Sequence, residues 1–268
     1  MIYDLDVFNQ ENFEQTIHDV CIVGAGAAGI TIAKELGDRG YKIALCEAGG
    51  LEYTTSSQDN YKGEVVGDPY FDLDVARLRF LGGSTNHWQG WCRDFEKGDF
   101  ARDYLGEEYK WPMAFEELAA YRTQACKILE IQNSFDVNNQ DLSEIKKIKF
   151  QFSPPVNFKE KYQQYLSKSP NISLFINANL EDISGVKRQI RSARFRNYKG
   201  KSFSIKATKF VFSMGGIENS RYLLWFAKQY GGKYFDDSTP IGKYWMEHPI
   251  FGLGQALVEK SVSANRFY

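Results

Sequence analysis

DVCIVGAGAAGITIAKEL, Asp19 to Leu36, followed by KIALCEAGG, Lys42 to Gly50, is the stretch on which the fold turns. DVCIV and KIALC are short unbroken apolar runs, the pattern of strands buried on both faces of a parallel sheet. Between them Ala28, Ile32 and Leu36 recur at helical spacing, and Gly37 and Gly40 close the segment. The reading is strand, helix, strand. The turn between the first strand and the helix is a GxGxxG carried by Gly24, Gly26 and Gly29, with Ala27 and Ala28 inside it. Glycines there allow a tight turn, close approach of backbone to a pyrophosphate, and close helix packing, while the helix N-terminus offers unpaired N–H groups to the anion. Glu47 ends the second strand, where a carboxylate can accept hydrogen bonds from the hydroxyls of an adenosine ribose. A glycine turn without a ligand is the competing reading, and the conforming strand, helix and acid weigh against it.

Working outward, residues 51–110 are rich in Gly, Asp and aromatics and read as a long functional loop with short helical pieces. It contains Leu81-Gly82-Gly83-Ser84, whose glycines can bring bare backbone against a flat ring system. Ser84, Thr85 and Asn86 add short hydrogen-bonding groups. Leu118, Tyr121, Ala125 and Leu129 predict one helix over 113–131, and the polar stretch 133–150 predicts a surface run. From 172 to 212 the runs ISLFI, the piece around Ala193 to Tyr198, FSIKA and KFVFS predict a small antiparallel meander. Its turns are expected at Ser184-Gly185 and Lys199-Gly200. Gly215-Gly216 after KFVFS again places glycine between strand and helix, with Asn219 either capping that helix or bonding a ligand.

Bulk properties exclude several functions. With 33 basic and 34 acidic side chains there is no cationic excess to hold nucleic acid or an anionic membrane. The 43% apolar and 25% charged composition is that of a folded globular chain. Cys21, Cys46, Cys92 and Cys126 show no C-x-x-C spacing, so reduced core thiols are expected and no metal site. MIYDLDVFNQENFEQTI lacks Lys, Arg and an export-length apolar stretch, and no run approaches the roughly 18 apolar residues of a membrane span. A cytoplasmic location is expected, with export in company with a partner left open.

Four segments in order resemble the glucose-methanol-choline oxidoreductases, FAD enzymes that oxidise alcohols. They are the opening DVCIVGAGAAGITIAKEL with LCEAGG, then RFLGGSTNHWQGWCRDFEKGDF (79–100), KFVFSMGGIENSRYLL (209–224) and IGKYWMEHP (241–249). The likeness runs from about His18 to Gly254. It implies an α/β, three-layer FAD/NAD(P)-binding Rossmann-type domain from 15–135 and 170–250, with a partial substrate domain or connecting segments from 136–169 and 251–268. Among FAD contacts it implies Gly24, Gly26, Ala27, Ala28, Gly29, Glu47, Gly82, Gly83, Ser84, Asn86, His87, Gly215 and Asn219, and a backbone contact to adenine at Leu180. His87 stands where some members bind the flavin covalently, the alternative being a hydrogen bond within its own loop. The His87-Trp88 pair resembles pyranose oxidase and bacterial sugar dehydrogenases, and so implies sugars or polyols as substrates. The electron acceptor is left unidentified. His18 and His248 are read as structural. In that family the catalytic histidine lies beyond the length of this chain, so the expectation is a fragment or truncated product that does not oxidise alcohols alone. A cofactor-binding module without chemistry of its own is the alternative, and the later glycine motifs disfavour an NAD-linked enzyme.

Overall fold

The computed structural model describes residues 1–7, 16–101, 106–107, 110–135, 148–186, 188–236, 238–247, 252 and 254–255. His248 and most of 251–268 lie outside the described residues, as does most of the polar stretch 133–150. The chain falls into two compact units, Met1–Trp88 with Asn157–Lys243, and Gln89–Val156 with Tyr244–Tyr268.

The first unit is built on a seven-stranded sheet. Its strands are β1 (Ile2–Asp4), β2 (Ile17–Val23), β3 (Ile43–Cys46), β6 (Ile172–Ile176), β7 (Asn179–Val186), β8 (Gln189–Arg196) and β9 (Ser202–Phe212), in the order β1-β6-β3-β2-β9-β8-β7. β2 lies between β3 and β9, both parallel to it, with Val23 opposite Cys46 on one side and Phe212 on the other. Its residues Val20 to Val23 are also buried on both faces, which explains its apolar run. The helix α1 (Ala27–Asp38) returns the chain from β2 to β3. It packs on the Ile172 face of β6, where a Cβ on Gly37 would stand 2.9 Å from the Ile172 side chain. Side chains alternate along a strand. The other face therefore receives Cys21, Val23, Ala44, Cys46 and Phe175, which share one core with Leu180, Ile183, Phe195, Ile205 and Phe226. Phe226 belongs to α7 (Gly216–Tyr230), so α1 covers one face of the sheet and α7 contributes to the core on the other.

The sequence reading needs three corrections here. ISLFI is not part of the meander: β6 pairs in parallel with β1 and β3, and within this sheet the antiparallel pairs are β7 with β8 and β8 with β9. Ser184-Gly185 is not a turn but an irregularity inside β7, where the register against β8 shifts. The Lys199-Gly200 turn stands, with Gly200 donating to the Asn197 carbonyl at 3.2 Å. Residues 157–169 belong with the first unit, because α6 (Phe158–Lys168) buries Phe158, Tyr162 and Leu166 there against α1 and β6.

The second unit takes in residues 89–135, which the sequence reading assigned to the first domain. Short strands β4 (Trp91–Cys92) and β5 (Gln151–Phe152) pair antiparallel, and Phe95, Phe100, Trp111 and Phe115 form an aromatic cluster beneath α3 (Lys97–Ala101) and α4 (Phe115–Ala119). The helix expected over 113–131 is broken at Ala120 and Tyr121 into α4 and α5 (Arg122–Leu129). All four cysteines are buried and free. Among the described residues no metal-holding group of His, Cys, Asp and Glu gathers, and no helix is long and apolar enough to cross a membrane.

His18 on β2 is 4% exposed, its Nδ1 has no partner, and its ring meets Phe175 edge-on at 6.3 Å. Burial lowers its pKa, partly offset by a backbone bond at Lys206. A histidine depressed in the folded state favours folding above its unfolded pKa, about 6.5, and that contribution is lost as pH falls. The urea midpoint should therefore drop as pH is lowered from about 6.5. In His18→Phe, which keeps an aromatic ring on Phe175, the drop through that window should shrink. An unchanged profile in the variant would assign the acid sensitivity to other groups.

Candidate functional site

The loop after β2 is dictated by backbone crowding. Gly24 has φ +99°, donates to the Cys46 carbonyl at 2.7 Å, and stands where a Cβ would lie 2.6 Å from the Ser213 carbonyl oxygen. A Cβ on Gly29 would fall 1.9 Å from the Gly24 carbonyl oxygen. Ser213, at the end of β9, seals this arrangement by donating to the Val23 and Gly24 carbonyls at 3.0 and 2.8 Å. Gly26 differs from its neighbours, since a Cβ there would meet nothing within 4 Å. It caps α1 without a side-chain bond, no acidic residue lies in the first turn, and Ala27 and Ala28 are exposed. The positive end of α1 thus opens on free space bounded by bare backbone, the geometry that holds a phosphate.

Glu47 is buried at 6% exposure. One carboxylate oxygen accepts from the Ala25 N–H at 2.8 Å and the other from the Gly49 N–H at 3.0 Å. Each oxygen keeps a second lone pair, so the acid can brace the turn and still accept from a ligand hydroxyl. The sequence reading saw only the second of these roles.

A second glycine loop lies directly on the turn. Gly82 (φ +92°) donates to the Ala25 carbonyl at 2.9 Å, and a Cβ on Gly83 would stand 3.2 Å from Gly26 Cα. Thr85 donates to the Gly82 carbonyl at 2.7 Å and accepts from the first N–H of α6, at Phe158, at 3.1 Å. Asn86 Nδ2 holds the Leu81 and Gly83 carbonyls at 2.9 and 2.8 Å, while its Oδ1 is buried without a partner. Ser84 and His87 are exposed, and no hydrogen bond to the His87 imidazole occurs among the described residues. The protein atoms crowding one side of that ring lower its pKa.

The remaining sequence candidates are placed differently. Gly215 (φ +84°) caps α7 with open space around it. Asn219 faces its own turn, accepting from Met214 N–H at 3.1 Å and donating to the Phe212 carbonyl at 3.0 Å. Leu180 is in the core at 5% exposure, and its carbonyl accepts from the Tyr222 hydroxyl at 2.8 Å. Sequence reasoning missed a charged group beside the glycine loop. Arg77 meets the buried Glu218 carboxylate at 3.0 Å, and Arg221 meets it at 2.6 Å. Burial alone would raise the Glu218 carboxyl, but the bond from Arg221 and the charges of both arginines hold it below the usual range. Arg79, 6% exposed, donates to Tyr198 Oη at 2.6 Å and Asn179 Oδ1 at 2.8 Å.

A strand-turn-helix whose open N-terminus is overlaid by a second glycine loop defines a dinucleotide-binding α/β protein. Residues 19–123 match the family model described as FAD dependent oxidoreductase. No curated protein matches the chain by sequence. Among solved structures, an FAD-dependent oxidoreductase from Chaetomium thermophilum is similar at 14% identity and TM-score 0.53, over 76% of this chain and 46% of that one. Aspergillus oryzae RIB40 formate oxidase is similar at 15% identity and TM-score 0.48, over 79% and 48%. A pyridoxine 4-oxidase from Mesorbium loti is similar at 15% and 0.44, over 76% and 50%. The chain thus spans about half the length of these structures. The fold is the FAD-binding Rossmann type, and the dinucleotide it takes is FAD. The open Gly26 cradle and the orphaned Asn86 oxygen fit such a group.

Gly26 and Gly29 should separate binding from folding. Gly26→Ala adds a methyl where the protein has none to meet, so its urea midpoint should stay near wild type while the flavin content of the purified protein falls at least about tenfold. Gly29→Ala should instead cost about 2–4 kcal/mol of stability, since its Cβ meets backbone that cannot yield. Equal flavin content in Gly26→Ala and wild type would place the pyrophosphate elsewhere.

Proposed function

We propose that the protein is an FAD-dependent oxidoreductase of the glucose-methanol-choline type, oxidising a CH–OH group of a sugar or polyol. The observation that carries this reading is the stacking of the Gly82-Gly83 loop on the Gly24–Gly29 turn, with Gly82 bonded to Ala25. One glycine turn serves many dinucleotides, but the second loop adds a bare-backbone wall suited to the flat ring system of a flavin.

The chain's own groups divide the work. The first turn of α1, at Ala27 and Ala28, presents N–H groups to the pyrophosphate. Glu47 accepts hydrogen bonds from the adenosine ribose hydroxyls with the lone pairs its backbone bonds leave over. Ser84 offers an exposed hydroxyl beside the glycine wall. FAD, when bound, accepts the hydride from the alcohol carbon. The His87-Trp88 pair supports sugars or polyols among alcohols, by likeness to the sugar-oxidising branch of the family. The His87 imidazole, exposed and without a hydrogen bond among the described residues, supports a role toward the flavin over a purely local one. The electron acceptor is a small molecule or protein outside this chain.

Two measurements test this. The flavin-loaded full-length protein is mixed anaerobically with a panel of sugars, polyols and simple alcohols while flavin absorbance is followed; sugars or polyols should bleach it, and the 268-residue chain by itself should stay oxidised. A full-length protein that no CH–OH donor bleaches would remove the substrate class. For His87, acid precipitation should leave the yellow colour in the pellet, and His87→Ala should release it. Colour wholly in the wild-type supernatant would reduce His87 to a non-covalent neighbour.

A further inference from the structure

The peptide unit between Ala48 and Gly49 carries one of the two bonds on which the Glu47 carboxylate depends, and it is a unit that turns over easily. Its N–H, on Gly49, donates to Glu47 Oε1 at 3.0 Å. A peptide that precedes glycine flips at little cost, because glycine accepts either sign of φ. The unit is planar, so its carbonyl and its N–H turn together. A flip would take the N–H away from Glu47 and swing the Ala48 carbonyl oxygen toward the carboxylate, setting two acceptors face to face.

One side chain holds the other end of this unit. Tyr198 Oη donates to the Ala48 carbonyl at 3.0 Å and accepts from Arg79 Nη1 at 2.6 Å. The tyrosine is itself anchored, since its backbone N–H donates to Asp6 Oδ1 at 2.9 Å. Arg79 is fixed as well. Its guanidinium also reaches Asn179 Oδ1 at 2.8 Å and Ser57 Oγ at 3.4 Å, a set of oxygens from three segments that suits a rigid planar fork. Its backbone closes on the same peptide: a Cβ on Gly49 would stand 2.0 Å from the Arg79 carbonyl oxygen. The Ala48–Gly49 unit is thus gripped by Tyr198 at its carbonyl and by Glu47 at its N–H.

We propose that Tyr198, steadied by Arg79, is a positioning residue for cofactor binding, which locks the Ala48–Gly49 peptide and so aims Glu47 at the adenosine ribose. The assignment rests on the FAD reading above and on the part of Glu47 in it. Tyr198 acts without touching the cofactor. Its effect reaches a ligand only through the hydroxyls whose hydrogen bonds Glu47 accepts.

The test compares Tyr198→Phe with its parent, both in a His87→Ala background so that flavin can be washed out. Calorimetric affinities are measured for ADP and for 2′,3′-dideoxy-ADP, which has no ribose hydroxyl to offer. The parent should bind ADP the more tightly. In Tyr198→Phe the affinity for ADP should fall about three- to tenfold, the worth of one ordinary hydrogen bond, while that for the dideoxy nucleotide stays the same. Arg79→Lys, which keeps the charge and loses the fork, should repeat this selective loss. Unchanged ADP affinity in both variants overturns the assignment. So does an equal loss for the two nucleotides, the mark of a loosened fold. A parent that takes up FAD but binds both nucleotides equally removes the ribose role of Glu47 and the assignment with it, and leaves the cofactor reading intact. A parent that takes up no FAD overturns that reading as well.

Discussion

The Glu47 carboxylate bridges two backbone N–H groups, at Ala25 and Gly49, that belong to the loops leaving β2 and β3. Charge-assisted bonds of this kind are stronger than neutral ones, and in a buried setting the cost of breaking them is larger still. They hold the glycine turn at a fixed distance from the end of the neighbouring strand. Ala25 is gripped twice, because its carbonyl also receives the Gly82 N–H. The second glycine loop therefore inherits its position from the first, and the wall and the phosphate cradle form one rigid piece.

Much of this was legible along the chain, for a physical reason. β2, α1 and β3 are local: two apolar runs, a helical repeat and a glycine turn occupy thirty-odd consecutive positions, and the close approaches at Gly24 and Gly29 admit no other residue. The glycine loop at Gly82 was legible for the same reason. Partner choice was not. ISLFI is a continuous apolar run bounded by turn residues, and such a run serves a parallel or an antiparallel neighbour equally well. Ser184-Gly185 has turn chemistry yet sits in a bulge, because a glycine also relieves crowding inside a strand, where a Cβ would stand 1.9 Å from the Gln189 carbonyl oxygen.

The charged group at Arg77 escaped for a different reason. Arg77 and Glu218 are 141 residues apart, and although Glu218 stands inside the 209–224 motif, nothing in either segment marks the two as partners. Nothing local distinguishes Arg77 from any exposed arginine until the fold brings Glu218 beneath it. Asn219 shows the converse: its place in a glycine-rich motif suggested a helix cap or a ligand contact, and its amide also braces its own turn through Phe212 and Met214. The motif marks a turn that must be held still as much as a surface that must bind.

The backing of the Gly24 turn by Ser213 carries a consequence for how the chain comes together. β2 is flanked by β9, with Ile17 opposite Lys206, so the floor under the turn arrives from far along the polypeptide. Contacts between such distant segments form late, because the loop between them must close first. The β2-α1-β3 crossover unit can collapse early on its own apolar runs, but its glycine turn stays unsupported until β9 docks. Flavin capture is thus a closing event in folding, and a nascent chain that has not yet presented Ser213 has a strand and a helix but no seat for the cofactor.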